Sequence, residues 1–388
     1  MKSHPLQTVF LTSESPFSAH GGAKIRNSSL IHLLLEKGEV EVLCFGTSAG
    51  HTSAGLRLSA ITKEKTPFYR RIFSPFRPYV VNGFSPEMAK ALQDRAAPKK
   101  LLWVDRLAMA QYIPLAHSLG YRVVLDEHNV ESDVLMKGAV ASWKDWPKIP
   151  IALQCFYYEA RFCSLADLVI ATSEVDARRL ETLAPKADVH IIPNLIDAED
   201  YASCRKSGAQ NLFFAGTLSY FPNIEGLNWF IDQVLPLLRT QLSADLPKIV
   251  VAGSNPSPSL QKKLTMAGVE LHANPDSILP LLGDASIVLV PILSGSGTRL
   301  KILEAMAASK AIVSTPKGAE GLEVASGRDI LLAHSPSEFC AAIVRLIKNP
   351  NLRTQMGAHA LETVEHSYDW RSARPKMERA LHKITGSD

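Results

Sequence analysis

Short apolar runs rich in Val, Ile and Leu alternate along the chain with stretches whose apolar residues recur at helical spacing. Runs of this kind, without a polar alternate face, suit parallel strands covered by helices on both sides. They fall into two series. The first holds Thr8 to Thr12, Val40 to Phe45, Leu101 to Val104, Arg122 to Leu125, Leu168 to Thr172 and Val189 to Ile192. The second holds Leu212 to Ala215, Ile249 to Ala252, Val269 to His272, Ile287 to Pro291 and Ala311 to Ser314. Between them lie Pro193-Asn194-Leu195-Ile196-Asp197 and the polar stretch Ala198 to Gln210, which read as a hinge and a linker. Asp369 to Ile384 reads as one amphipathic helix, and Trp143 to Ala160 as a helix packed in the first domain. The pattern predicts an α/β chain with two parallel-sheet domains, residues 1–194 and 195–366, followed by a terminal helix in 367–388.

Length agrees with this division, because 388 residues exceed what one ordinary core organises. Hydrophobic residues make up 46% and charged residues 21%, a composition that supports large cores and gives no sign of global disorder. The formal charge of +4 suits an anionic small ligand, but it lacks the blocks of Lys and Arg that track a nucleic-acid backbone. Nucleic acid is therefore not an expected partner. The five cysteines are scattered and contain no CxxC pair, so neither a zinc site nor a disulfide framework is expected. A reducing compartment follows. The apolar stretch near the start is too short for a signal-peptide core, and no run approaches the roughly 20 residues needed to span a bilayer. These features place the chain in the cytoplasm, with attachment to the inner face of the membrane left open.

In open parallel sheets, ligands bind beyond the carboxyl ends of the strands. Three such places carry candidate chemistry. The first is Ser18-Ala19-His20-Gly21-Gly22-Ala23-Lys24-Ile25-Arg26, where Gly21 and Gly22 permit close backbone approach and the following helix offers N–H groups to an anion. It lacks GxGxxG spacing, so a dinucleotide site is not indicated, and the same residues also suit a tight turn with no ligand. The second is Asp126-Glu127-His128-Asn129 at a strand end, where His128 can donate to a sugar hydroxyl or to developing charge, oriented by Asp126 or Glu127. A histidine satisfied by its neighbours is the alternative. The third is Pro291 to Ala307, in which Ser296, Gly297 and Thr298 lead from a strand into a helix and offer amides to a diphosphate. Arg299 and Lys301 add cationic donors, and Glu304 can accept from ribose hydroxyls. A surface helix with solvated charges is the alternative there.

These residues, in this order, resemble the retaining enzymes of glycosyltransferase family 4, the glycosyl transferases group 1. The resemblance covers most of the chain. It is densest in Phe214-Ala215-Gly216-Thr217-Leu218, Pro222-Asn223, Asn228-Trp229-Phe230-Ile231, Gly297 to Lys301, Glu304 to Ala307, Ile312 to Thr315 and Gly318 to Leu322. In the first half it rests on the Gly-Gly loop, Asp126 to Ser132, Ala166 to Ile170 with Ser173-Glu174, and Ile192-Pro193-Asn194. It implies a GT-B fold, two Rossmann-like parallel-sheet domains facing across a cleft, with the last helix crossing back to the first domain and taking Trp370 and its neighbours there. It further implies metal-independent transfer, with retention of configuration, from a UDP- or GDP-sugar to a glycan, glycolipid or small metabolite. No cofactor beyond that donor is expected. By the resemblance, Gly21 and Gly22 approach donor phosphate or acceptor, His128 contacts the donor sugar, Glu304 holds the ribose, and Gly216, Thr217, Ser296, Gly297, Thr298, Arg299 and Lys301 bind the rest of the donor. Lys24, Arg26, Asp126, Glu127 and Asn129 are placed on the acceptor side.

Two departures stand out. Many relatives carry a first glutamate where this chain has Ser296, and some carry a basic residue where it has Tyr220-Phe221-Pro222-Asn223. Sugar preference therefore stays open, and Arg299 with Lys301 is expected to supply the missing charge. The Ser296 substitution also leaves room for a non-catalytic sugar-nucleotide-binding subunit, and the architecture for an epimerase. The segment 68–79 mixes Arg with aromatics and prolines, which suits either peripheral membrane contact or a loop over the acceptor.

Overall fold

The computed structural model describes residues 5–17, 22–46, 52–63, 83–97, 100–140, 143–205, 210–295 and 300–386. The expected contact segment 68–79, the glycine Gly21 and the turn Ser296 to Arg299 lie outside these residues. The chain divides into two compact units, Met1–Leu195 with Ala373–Asp388, and Ile196–Ser372.

The first unit is built on strands β1 (Leu6–Leu11), β2 (Gly38–Phe45), β3 (Thr52–Ser53), β4 (Leu56–Ile61), β5 (Leu101–Asp105), β6 (Arg122–Asp126), β7 (Leu168–Ala171) and β8 (Val189–Ile191). They form one eight-stranded sheet in the order β3-β4-β2-β1-β5-β6-β7-β8. All pairings are parallel except that of β3 with β4. Every residue of β5 and β7 is buried, as expected of strands covered on both faces. The strand order turns outward in both directions from β1, so β1 and β5 flank a switch point, where loops open on one end of the sheet.

The second unit carries β9 (Asn211–Ala215), β10 (Ile249–Gly253), β11 (Glu270–Ala273), β12 (Ala285–Val290), β13 (Ala311–Ser314) and β14 (Leu331–Leu332). These form a six-stranded, wholly parallel sheet in the order β11-β10-β9-β12-β13-β14. Its switch point lies between β9 and β12. Both units thus have the α/β, Rossmann-like organisation expected from the alternation of apolar runs.

Two sequence expectations need correction. The polar stretch after Asp197 is no open linker: Ala198–Cys204 is a 3-10 helix that buries Ala198, Tyr201 and Cys204 within the second unit. Nor is the tail one helix from Asp369. Trp370–Ala373 forms a 3-10 turn, and the α-helix runs from Arg374 to Thr385. Pro375 explains the break, because proline fits the first turn of a helix but disrupts its interior. Trp370 stays with the second unit, its Nε1 donating to Asp197 Oδ2 at 3.0 Å. The helix Arg374–Thr385 belongs to the first unit, where Arg374 pairs with Glu36 and Lys383 with Asp188.

Candidate active site residues in each unit

In the first unit the register places Asp105, at the end of β5, directly opposite Asp126, at the end of β6. Both carboxylates are fully buried. Two adjacent buried negative charges are untenable without countercharge, and three cations converge on them. Arg26, from the first turns of the helix Gly22–Leu35, grips Asp126 through Nε at 3.1 Å and Nη2 at 2.5 Å. Its Nη1 donates to the carbonyls of Ile192 at 3.0 Å and Pro193 at 2.8 Å, and to Asn194 Oδ1 at 3.3 Å. Arg106 lies 3.3 Å from Asp105 Oδ2, which also accepts from Thr12 Oγ1 at 2.6 Å.

His128 is the third cation. Its Nε2 sits 3.1 Å from Asp105 Oδ1 and 3.3 Å from Asp126 Oδ2, between the two and aligned as a hydrogen bond with neither. Burial disfavours the charged imidazole, but the facing carboxylates outweigh it, and its pKa lies above the ordinary histidine value. For both acids burial acts in the opposite sense to these cations and is overcome, chiefly by Arg106 at Asp105 and by Arg26 at Asp126, so both are held below the usual carboxylate range. The two carboxylates thus favour the protonated, donating form of His128 over the free base.

Strand alternation turns Glu127 to the other side of the chain from Asp126 and His128. Its carboxyl is buried without a hydrogen-bond partner among the described residues, and burial together with nearby Glu159 pushes its pKa well above the usual range. Glu159 itself is drawn up to about 7 by burial, although it accepts from the Glu131 amide at 2.7 Å and from the Ser132 amide at 3.2 Å, capping the helix Glu131–Val140. Asn129 is half-buried beside this helix start. Lys24 lies 3.7 Å from Glu14 Oε2. Of the residues that the resemblance puts on the acceptor side, Arg26 and Asp126 are enclosed and paired with one another, and Glu127 has its carboxyl in the interior.

Arg106 was not foreseen. It has φ +65° and ψ 158°, a conformation that only glycine adopts without strain. Its Nη2 also donates to Ser13 Oγ at 2.9 Å. Nothing in the sequence marks it except its place directly after a strand.

In the second unit β9 ends at Ala215 and the chain turns through Gly216 and Thr217. A Cβ at Gly216 would stand 2.8 Å from Asn223 Nδ2 and 3.1 Å from Lys301 Nζ, so any side chain there would displace the ends of Asn223 and Lys301. Lys301 Nζ donates to Asn223 Oδ1 at 2.7 Å and lies 4.5 Å from the Phe214 ring centre. Asn223 Nδ2 donates in turn to the Thr217 carbonyl at 2.8 Å. Gly216, Thr217, Asn223 and Lys301 thus form one cluster at the switch point between β9 and β12. Glu304, one helical turn beyond Lys301 on the helix Leu300–Ala307, accepts from Tyr201 Oη at 3.1 Å. Desolvation, only partly countered by Tyr201 and Lys301, raises its carboxyl to about 7. Tyr201 was missed because the stretch that contains it read as linker.

A double Rossmann-like α/β chain with charged clusters at the carboxyl ends of its sheets defines a GT-B protein. The family comparisons narrow this class. The model described as Glycosyltransferase Family 4 matches residues 20–200, and the one described as Glycosyl transferases group 1 matches residues 209–349. The chain belongs to this glycosyltransferase family. An uncharacterized 44.6 kDa protein in the cps region of Klebsiella pneumoniae is 26% identical over 210 residues, 52% of each chain. An uncharacterized glycosyltransferase of Methanocaldococcus jannaschii is 30% identical over 92 residues, 23% of this chain and 24% of the other. The matches span about half, or less, of these relatives' length. Among solved structures, the sucrose-phosphate synthase of Thermosynechococcus elongatus superposes with a TM-score of 0.72 at 15% identity, covering 99% of this chain and all of that one. Anabaena Alr3699/HepE in complex with UDP-glucose gives 0.68 at 14% identity, covering 98% of this chain and all of that one. At such identity these two speak for the fold.

Proposed function

We infer that the chain transfers a sugar from a nucleoside diphosphate sugar to an acceptor hydroxyl, with retention of anomeric configuration and without a bound metal. The observation that carries this reading is the cluster in the second unit, where a lysine stands at the sheet's switch point beside a glycine that leaves room for it, with a carboxylate one helical turn further along the same helix. That is the chemistry a diphosphate and a ribose require. The UDP-glucose bound by Alr3699/HepE supports a nucleotide sugar as donor.

In this reading Lys301 neutralises the diphosphate, assisted by Arg299 and by the amides of Ser296, Gly297 and Thr298. Glu304 accepts from the ribose hydroxyls, and Gly216 and Thr217 bring backbone close to the phosphates. The resemblance assigns Gly21 and Gly22 to the donor phosphate or the acceptor. His128, held as a cation by Asp105 and Asp126, donates to the donor sugar and stabilises negative charge as the diphosphate departs. Arg26 and Asp126 position His128. Lys24 and Asn129 remain for the acceptor.

Incubation with a panel of UDP- and GDP-sugars, followed by proton NMR of the anomeric region, tests this. The expected result is release of nucleoside diphosphate with a product of the donor's anomeric configuration, slowed about a hundredfold in His128→Ala. An inverted product, or a rate unchanged in His128→Ala, would refute it.

A further inference from the structure

One surface of the first unit carries large apolar side chains that the core does not take up. Between Val140 and Tyr157, six described large apolar side chains are exposed: Val140 at 55%, Trp146 at 60%, Ile151 at 39%, Leu153 at 56%, Phe156 at 44% and Tyr157 at 60%. Scattered exposed hydrophobics need no explanation, but a run confined to one helix end, one turn and the next helix does. The elements are the end of Glu131–Val140, the 3-10 turn Trp143–Lys148 and the helix Ile149–Leu165. That last helix was expected to be packed, and it is packed on one side only. Ala152, Cys155, Tyr158 and Phe162 face the unit, while Leu153 and Tyr157, one turn apart, face away, with Arg161 a further turn along.

Charge decides what such a face fits. Residues 137–165 hold four cations, Lys137, Lys144, Lys148 and Arg161, against two carboxylates, Asp145 and Glu159. Glu159 is buried beneath the helix. Asp133, a turn before Lys137, is bound to Arg179. A two-fold pairing with a second copy would bring like charges together, which is costly. A surface rich in anionic headgroups instead offers countercharge to the rim and an apolar boundary for the Trp, Tyr and Leu side chains. No described helix is long and apolar enough to cross a membrane, so contact of this kind is peripheral.

We propose that the face formed by Val140, Trp146, Leu153, Phe156 and Tyr157, rimmed by Lys137 and Arg161, docks on an anionic lipid bilayer. The helix Ile149–Leu165 then lies along the membrane surface with Leu153 and Tyr157 at the headgroup boundary.

Flotation of the full-length protein with vesicles of phosphatidylcholine, alone or mixed with phosphatidylglycerol, tests this at low and high salt. The expected result is binding to the mixed vesicles that weakens with salt. Lys137→Ser/Arg161→Ser lowers the partition coefficient about 25-fold, at about fivefold per cation, and Leu153→Ser/Tyr157→Ser lowers it about tenfold or more. Both variants change exposed residues, and circular dichroism with thermal melting verifies that they fold. Failure of the wild type to float with anionic vesicles at low salt overturns the proposal, as does unchanged flotation of the folded variants. Self-association of the wild type in sedimentation velocity, abolished in Leu153→Ser/Tyr157→Ser, also overturns it and assigns the face to a second copy.

Discussion

Replacing Arg26 by alanine tests the buried charge network most sharply. The guanidinium makes two charge-assisted bonds to Asp126, at 3.1 and 2.5 Å, and satisfies Ile192 O, Pro193 O and Asn194 Oδ1. Both Arg26 and Asp126 have no solvent-exposed side-chain surface. Removing one partner of such a pair leaves an uncompensated buried charge, at a cost of about 3–5 kcal/mol. Here the lower end applies, because His128 Nε2 remains 3.3 Å from Asp126 and supplies part of the countercharge. The loss should therefore be about 3 kcal/mol, and it should fall on the first unit. Urea unfolding followed by far-ultraviolet circular dichroism and by tryptophan fluorescence, in a background in which Trp229 and Trp370 of the second unit are replaced by Phe, resolves the first unit's transition. Asp126→Asn and the double variant complete a cycle, in which a coupling of about 2 kcal/mol or more is expected. A loss in Arg26→Ala below about 1 kcal/mol, or a coupling near zero, would refute the argument that the pair is held by mutual compensation.

Three further outcomes follow from single groups. With its carboxyl raised to about 7, Glu304 becomes the stronger, charged acceptor for ribose hydroxyls only as it ionises, so donor affinity measured by calorimetry should rise from pH 6 to pH 8 and lose that dependence in Glu304→Gln. Glu159, also raised to about 7, binds its proton in the folded state where the unfolded chain has released it. Stability contributed through Glu159 is therefore greatest below about pH 4.5 and declines as pH rises towards 7, and Glu159→Gln should flatten that decline in urea titrations. At Arg106 two effects oppose one another: the ion pair to Asp105 favours arginine, and φ +65° disfavours any side chain. Arg106→Gly should accordingly be about 1 kcal/mol more stable than Arg106→Ala, although both lose the charge; equal melting temperatures would show that no strain is stored there.

The fold was legible because both sheets are buried on two faces, so strands such as β5, β7, β10, β12 and β13 read as unbroken apolar runs. What escaped was short or half-exposed. β4 reads Leu-Arg-Leu-Ser-Ala-Ile with only its leucines buried, and β14 has two residues. Candidate site residues stood out in the sequence where residue type and position coincided, as for His128, Lys301 and Glu304 beyond apolar runs. They did not stand out where the partner came from elsewhere in the chain. Asp105 faces Asp126 only through strand register, and Tyr201 reaches Glu304 only because a polar stretch folds back as a 3-10 helix. Arg26 was placed on the acceptor side, and only the structure shows that its guanidinium binds Asp126 at the end of β6.

The claim on which the rest depends is that the second unit binds a nucleoside diphosphate sugar through Lys301 and Glu304. Isothermal titration of the full chain with UDP- and GDP-sugars measures it directly. The account predicts saturable binding of at least one of them, weakened about tenfold or more in Lys301→Ala through loss of a charge-assisted contact. Undiminished affinity in that variant, or heat of binding from none of the panel, would contradict it.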